Sequence, residues 1–266
     1  MQKGGRKVKK LIVFVLMIST VMLSYVVVTI NPYYLLTKEI LDGVDEIKLL
    51  LPPNINPHIY SLKVSDVKLI SNAKLVIANG DLEPNLKKFD NVIYIRNFIP
   101  DIFVEFKNPH FWLEPYFVKF YIVPYLSEHL YNIYKEKKII DNAKRLIKEI
   151  DEFLRHANTT LKINGTILVH HPSFYYFFKE FGIKIKWLEE GHNVSTSVKK
   201  IINTIKGEKL VAIFSEKQQS QSKISIISKE LKIPYFTLDP LGVNAKKFLD
   251  IYYNNLEVIK KALSNE

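Results

Sequence analysis

The chain has 266 residues, 47% of them apolar and 24% charged, with a formal net charge of +11 at pH 7. That length holds one large domain or two lobes, and the composition is globular, which excludes disorder, collagen and coiled coil as descriptions of the whole. Cysteine is absent, so a disulfide scaffold, a thiolate zinc finger, an iron–sulfur cluster, a cysteine nucleophile and a lipidated N-terminal cysteine are all excluded, and any metal site must use His, Asp or Glu.

Lys3, Arg6, Lys7, Lys9 and Lys10 open the chain, and an uncharged run follows from Leu11 to Ile30. A basic start before an apolar stretch reads as an export signal or N-terminal membrane anchor over residues 1–24. The end of the run, Tyr25 to Ile30, is rich in β-formers and stops at Asn31-Pro32, so it is read as the first strand of the folded part. No Ala-x-Ala-like cleavage site is visible, which leaves retention as an anchor open. Setting this leader aside leaves a charge of +6, spread along the chain. A nucleic-acid partner calls for a clustered basic face or motif, and neither is present, so nucleic acid is not expected as a partner. Asn-x-Ser/Thr triplets begin at Asn158, Asn164 and Asn193, and they matter only in a glycosylating host.

From residue 25 onward, short apolar runs alternate with helical patterns. Strands are predicted at 25–30, 46–51, 74–79 and 91–96. Helices are predicted from near Pro32, after Ser65 as an N-cap, and over 82–89. From Glu114 to Leu161 no strand pattern occurs. There Ile139, Ile140, Ala143, Leu146, Ile147, Ile150, Phe153, Leu154 and Ala157 form an apolar stripe of about five turns, the mark of one long packed helix. The second half repeats the first rhythm. Strands are predicted at 166–170, 184–188, 209–214 and 235–238, and helices after Pro172, after Ser197, after Gln219 and over 244–263. Gly182 and Gly207 stand where helix C-caps are expected. The fold class is therefore α/β: two βα lobes with parallel sheets, joined by a long helix. The lobes are placed at 25–115 and 163–266, with the helical segment at 116–162 between them. No sequence repeat relates the lobes.

The seven histidines are His58, His110, His129, His156, His170, His171 and His192. In an open α/β sheet, ligands gather outside the carboxyl ends of the strands. His58, His171 and Asp239 each follow the end of a predicted strand, and His110 precedes the helical region. Three imidazoles and a carboxylate suit zinc better than manganese, which prefers oxygen donors. His170 and His171 point to opposite faces if the strand continues, and spacing alone does not choose between them. His129, His156 and His192 read as surface residues, and Trp112 and Trp187 as packing residues.

These residues carry a family resemblance over nearly the whole chain beyond the leader. Asn31-Pro32-Tyr33-Tyr34, Leu50-Leu51-Pro52-Pro53 through Pro57-His58-Ile59-Tyr60, Ala73 to Gly80 with Leu82-Glu83-Pro84, Asn108-Pro109-His110-Phe111-Trp112-Leu113-Glu114-Pro115, Val169-His170-His171-Pro172-Ser173, Ala212 to Glu216 and Leu238-Asp239-Pro240-Leu241-Gly242 occur in order. Together they resemble the substrate-binding proteins of zinc/manganese ABC importers. The resemblance implies His58, His110, His171 and Asp239 as metal ligands, so it selects His171 over His170. A histidine at the third position implies Zn²⁺ as the transported ligand, with Mn²⁺ second. It also implies a rigid linking helix, a metal cleft between the lobes, a membrane permease as partner, a monomer, and a location at the extracellular face of the cell membrane.

The sequence departs from the family pattern at Asn108, where an acidic residue usually precedes Pro-His, and at Asn85, in place of an aromatic. No histidine lies between Asn97 and Asn108, so a His-rich metal-gathering loop is absent there. Glu216 and Asn108 are assigned supporting roles behind the ligands. The competing readings are a manganese receptor of the same family, and a zinc-dependent hydrolase or adhesin using the same cluster. A fourth protein ligand argues against an enzyme, since closed sites bind rather than catalyse, and neither an HExxH pattern nor a nucleophile elbow is present.

Overall fold

Val26, Val27 and Val28 have no exposed surface, as expected of a strand covered on both faces of a parallel sheet. They form β1 (Tyr25–Val28) in a computed structural model that describes residues 25–188, 202–203, 205 and 207–264. The predicted leader, His192, the triplet at Asn193 and most of the helix predicted after Ser197 lie outside the described residues; of that helix, residues 202, 203 and 205 are described and helical.

Around β1 the first sheet assembles from β2 (Glu46–Leu49), β3 (Leu75–Ala78) and β4 (Val92–Tyr94), in the order β2-β1-β3-β4. The second sheet contains β5 (Thr166–Val169), β6 (Lys184–Trp187), β7 (Leu210–Glu216) and β8 (Tyr235–Leu238), in the order β6-β5-β7-β8. Every pairing is parallel. The two sheets thus share one strand order, although the sequence shows no repeat between them.

The helices follow the predicted rhythm, with two shifted starts. Helix α1 (Asn31–Leu41) carries Pro32 in its first turn. Helix α2 (Val64–Ser71) begins before Ser65, which therefore does not cap it. The Asp66 carboxylate accepts from the Lys63 N–H at 2.8 Å and fixes the start there. Predicted helix 82–89 is a short 3-10 stretch over Pro84–Lys88. A helical run from Pro115 passes through a π-helical stretch, Val118–Ile122, into α3 (Val123–Tyr134). Pro124 lacks the N–H an α-helical ladder needs, and the Val123 N–H reaches back to Val118 O. Helix α4 (Lys137–Thr160) is the predicted long helix, about 36 Å at 1.5 Å per residue. Helices α5 (Tyr175–Glu180), α6 (Ser222–Leu231) and α7 (Phe248–Leu263) follow among the described residues. Helix α7 starts four residues later than the predicted 244. Asp250 Oδ2 accepts the N–H groups of Lys246 and Lys247 and sets that boundary.

The two sheets are packed through α4. Its face of Ile139, Ala143, Leu146, Ile150, Phe153 and Ala157 is buried. These side chains belong to one apolar core with Val26, Val28 and Ile77 of the first sheet and Ile167, Val169 and Phe214 of the second. Successive side chains alternate faces, so Val27, Val76 and Ala78 form a separate outer cluster with Ile70 of α2. Leu168 and Ile213 do the same with Ile224 and Ile227 of α6. Asn142, absent from the predicted stripe, is buried because its amide donates to Ile40 O of α1 at 3.1 Å.

Candidate metal site

His58, His110 and His171 converge past the carboxyl ends of β2, β4 and β5, and each offers a nitrogen within 4.8 Å of the other two. His58 follows the proline of a single 3-10 turn. The Asn56 side chain accepts the His58 N–H at 2.9 Å and sets that turn. His110 is buried and leads into a second such turn at Phe111–Leu113. The His170 N–H continues the ladder to Phe214 O at 2.9 Å, and the next residue, His171, joins the site. Of the neighbouring pair, it is His171 that the structure groups with His58 and His110.

The second nitrogens of two rings are held. His110 Nδ1 lies 2.5 Å from Asn108 Oδ1. An amide oxygen only accepts, so Nδ1 carries the proton and Nε2 is left as the donor atom toward a metal. The Asn108 amide nitrogen donates in turn to Pro172 O at 2.8 Å. His171 Nδ1 lies 3.3 Å from both oxygens of Glu216, which also accepts from Ser173 Oγ at 2.5 Å. Both supporting residues expected from the sequence thus touch a site histidine. Ser173 is a supporting residue that sequence reasoning missed.

The donor spacing is on the scale of a metal polyhedron. Tetrahedral zinc ligands at ~2.1 Å stand about 3.4 Å apart, and Nε2 of His58 and His110 are 3.1 Å apart. Asp239 is not brought into this group of metal-capable side chains among the described residues. Its carboxylate is engaged instead by Lys217 Nζ at 2.9 Å, the Val243 N–H at 2.8 Å and Gln218 Nε2 at 3.3 Å. Gln218 Nε2 also reaches Pro53 O, beyond β2, at 2.9 Å, tying the Asp239 loop to the first sheet.

The floor of the site is tied by hydrogen bonds between distant parts of the chain. Trp112 Nε1 donates to Pro240 O at 2.7 Å, and the Tyr252 hydroxyl donates to Trp112 O at 2.8 Å. Trp112 is thus a packing residue, as predicted. The Asn31 amide donates to the carbonyls of Leu241 and Gly242, both at 2.9 Å. Behind the first sheet, Glu83 accepts from Thr29 Oγ1 and the Gly80 N–H, and burial pushes its carboxyl up from the ordinary range.

A turn at residues 105–108 borders the site. The Asn108 N–H donates to Glu105 O at 2.9 Å, and both central residues, Phe106 (φ 53°) and Lys107 (φ 52°), are left-handed. Positive φ at both centres is the signature of a type I′ turn, normally Asn-Gly. For L-residues each such conformation costs about 1–2 kcal/mol. The turn is clamped to α5 by several contacts. The Tyr176 hydroxyl receives the Glu105 N–H at 3.1 Å and donates to Asn108 O at 3.0 Å. The Glu105 carboxylate accepts from Tyr175 Oη at 2.6 Å and pairs with Lys179. Phe106, 71% exposed, stands over an open cavity of about 840 Å³ whose inner wall includes all three histidines.

Comparison with known proteins agrees with this geometry. Residues 26–262 match the model of the family "ZnuA: Zinc-uptake complex component A periplasmic". A "Putative metal-binding protein" of Thermotoga maritima is 42% identical over 248 residues, 90% of this chain and 92% of its own length. The "High-affinity zinc uptake system protein ZnuA" of Haemophilus ducreyi is 25% identical, covering 93% of this chain and 94% of its own. Among solved structures, that of the SBP FpvC from Pseudomonas aeruginosa in complex with Mn²⁺ superposes with a TM-score of 0.78 at 22% identity, over 91% of this chain and 98% of that one.

Proposed function

The chain belongs to the family of periplasmic zinc-uptake component A proteins, metal-binding receptors of ABC transport rather than enzymes, and we propose that it captures Zn²⁺ and delivers it to a membrane permease. The observation that carries this reading is the convergence of three imidazoles on the carboxyl ends of strands from both sheets. Borderline nitrogen donors favour zinc over manganese. Asn108 and Glu216 support the reading further, because a ring held by its second nitrogen is oriented before the ion arrives.

Zinc enters as cargo. His58 and His110 hold it from the first sheet's side and His171 from the second, so one ion ties the two sheets across the cleft. Asp239 is the fourth ligand in this proposal, reached when the ion takes the place of Lys217 on its carboxylate. Imidazoles bind metal only when neutral, so acid competes with capture. Delivery requires the protein to be exported and to meet the permease of its own importer.

A manganese receptor is the second reading, favoured by the Mn²⁺ complex of the FpvC structure. Metal content and competition titration of the purified protein decide between them. One tightly held zinc per chain, lost in His171→Ala and not displaced by manganese, is the expected result. Displacement by equimolar manganese would transfer the proposal to that ion, and binding indifferent to His171 would overturn the site.

A further inference from the structure

We infer that Gln218, through its side-chain amide oxygen, is a fifth donor to the ion held by the three histidines and Asp239, and that this oxygen sets how well the site accepts manganese beside zinc. The inference rests on the proposed metal role of His58, His110 and His171.

Gln218 stands two positions past Glu216, the last residue of β7. Both line one small cavity together with His58, His110 and His171. Its free volume is about 10 Å³, room for a single water-sized species. An ion seated there is walled by Gln218 as well as by the imidazoles.

The amide is oriented by its nitrogen. Nε2 donates to Pro53 O at 2.9 Å and to Asp239 Oδ1 at 3.3 Å. Both partners only accept, so the end facing them is the nitrogen and the other end is the oxygen. That oxygen, Oε1, is buried and accepts no hydrogen bond among the described residues. A buried acceptor left without a partner costs stability and calls for an explanation. A cation in the adjoining cavity is the partner it fits.

The chemistry of the donor makes it a selectivity element. An amide oxygen is a hard, neutral donor of the kind manganese prefers. Zinc is already closed by three nitrogens and one carboxylate, and expands to five ligands only in some settings. The fifth oxygen therefore adds little to zinc binding and more to manganese binding. Gln218 acts on the fourth ligand as well, because its N–H holds one Asp239 oxygen while the other is free to meet the ion.

The test uses cobalt(II) as a coloured probe on the purified wild type, Gln218→Met and Gln218→Glu. Four-coordinate cobalt absorbs visible light several times more strongly than five-coordinate cobalt, because its d and p orbitals mix more. Met has nearly the length of Gln and offers no oxygen. Glu keeps an oxygen donor and loses the N–H bonds to Pro53 and Asp239. The wild type and Gln218→Glu are expected to show the weak five-coordinate band, and Gln218→Met the strong one. In competition titration, Gln218→Met should lose about tenfold more affinity for manganese than for zinc. A strong four-coordinate band from the wild type, or one intensity in all three proteins, overturns the inference. A strong band from Gln218→Glu as well as from Gln218→Met does so too, and makes Gln218 a tie between loops. Each of these leaves the metal reading intact. Binding of neither cobalt nor zinc by the wild type overturns the metal reading itself.

Discussion

Glu216 stands directly behind His171, with both carboxylate oxygens 3.3 Å from the imidazole Nδ1. The pair is largely buried, and Ser173 fixes the carboxylate from the other side. A carboxylate behind a metal-facing imidazole selects the tautomer and strengthens the ring as a donor. Glu216→Gln keeps the shape and loses the charge. Zinc affinity is expected to fall about 10–100-fold by competition titration, with folding unchanged by circular dichroism. Unaltered affinity would show that His171 does not bind metal through its other nitrogen.

Lys217 and the proposed metal compete for one carboxylate. The Lys217–Asp239 ion pair spans 2.9 Å, and its ammonium must leave before Asp239 can turn to a cation. Lys217→Met removes the competitor. Affinity for bare zinc is expected to rise about tenfold, one 1.4 kcal/mol step, and Asp239→Asn should abolish the gain in the double variant. A drop in affinity for Lys217→Met would identify Asp239 as a loop support rather than a ligand.

Glu114 provides a pH-dependent term in stability. Burial pushes its carboxyl up to about 8, although the N–H groups of Tyr116 and Phe117 donate to it. The folded chain therefore keeps a proton that the unfolded chain releases near the ordinary carboxylate value. The contribution is full below that ordinary value and is lost as pH rises toward about 8. Glu114→Gln retains an acceptor oxygen for one of the two N–H groups and cannot ionise. In urea unfolding, wild-type stability should decline between pH 5 and pH 9 by on the order of 3–5 kcal/mol more than that of the variant. Parallel pH profiles would refute the assignment.

Gly242 meets both steric demands that glycine answers. Its φ is +63°, and a Cβ there would approach Ile251 Cγ1 to 2.6 Å and Ala245 Cβ to 2.9 Å. Its carbonyl also receives the Asn31 amide. Gly242→Ala is expected to destabilise the protein by roughly 1–3 kcal/mol, read as a lowered melting temperature. An unchanged melting temperature would mean that the loop after β8 yields freely.

The inner strands β1, β3 and β5 were legible because parallel strands covered on both faces are written as largely apolar runs, of which Val26 to Val28 is the plainest. Two helix starts were misplaced for a single reason. In α2 and α7 an aspartate three residues in, Asp66 or Asp250, captures preceding N–H groups and sets the boundary. The three histidines were legible from strand ends and family motifs together. The engagement of Asp239 was not, since Lys217 is 22 positions away and meets it only through the pairing of β7 with β8. Nor was the turn at Phe106, because Phe-Lys carries none of the residue types that signal left-handed backbone.

Helix α4 lies in an interior common to both sheets. Neither half owns a complete core, so a cut between them would turn apolar walls out to water. The chain is therefore expected to melt in one transition and to resist dissection into free-standing lobes. Sequence length can drift only in the outer loops, where insertion leaves that common interior untouched.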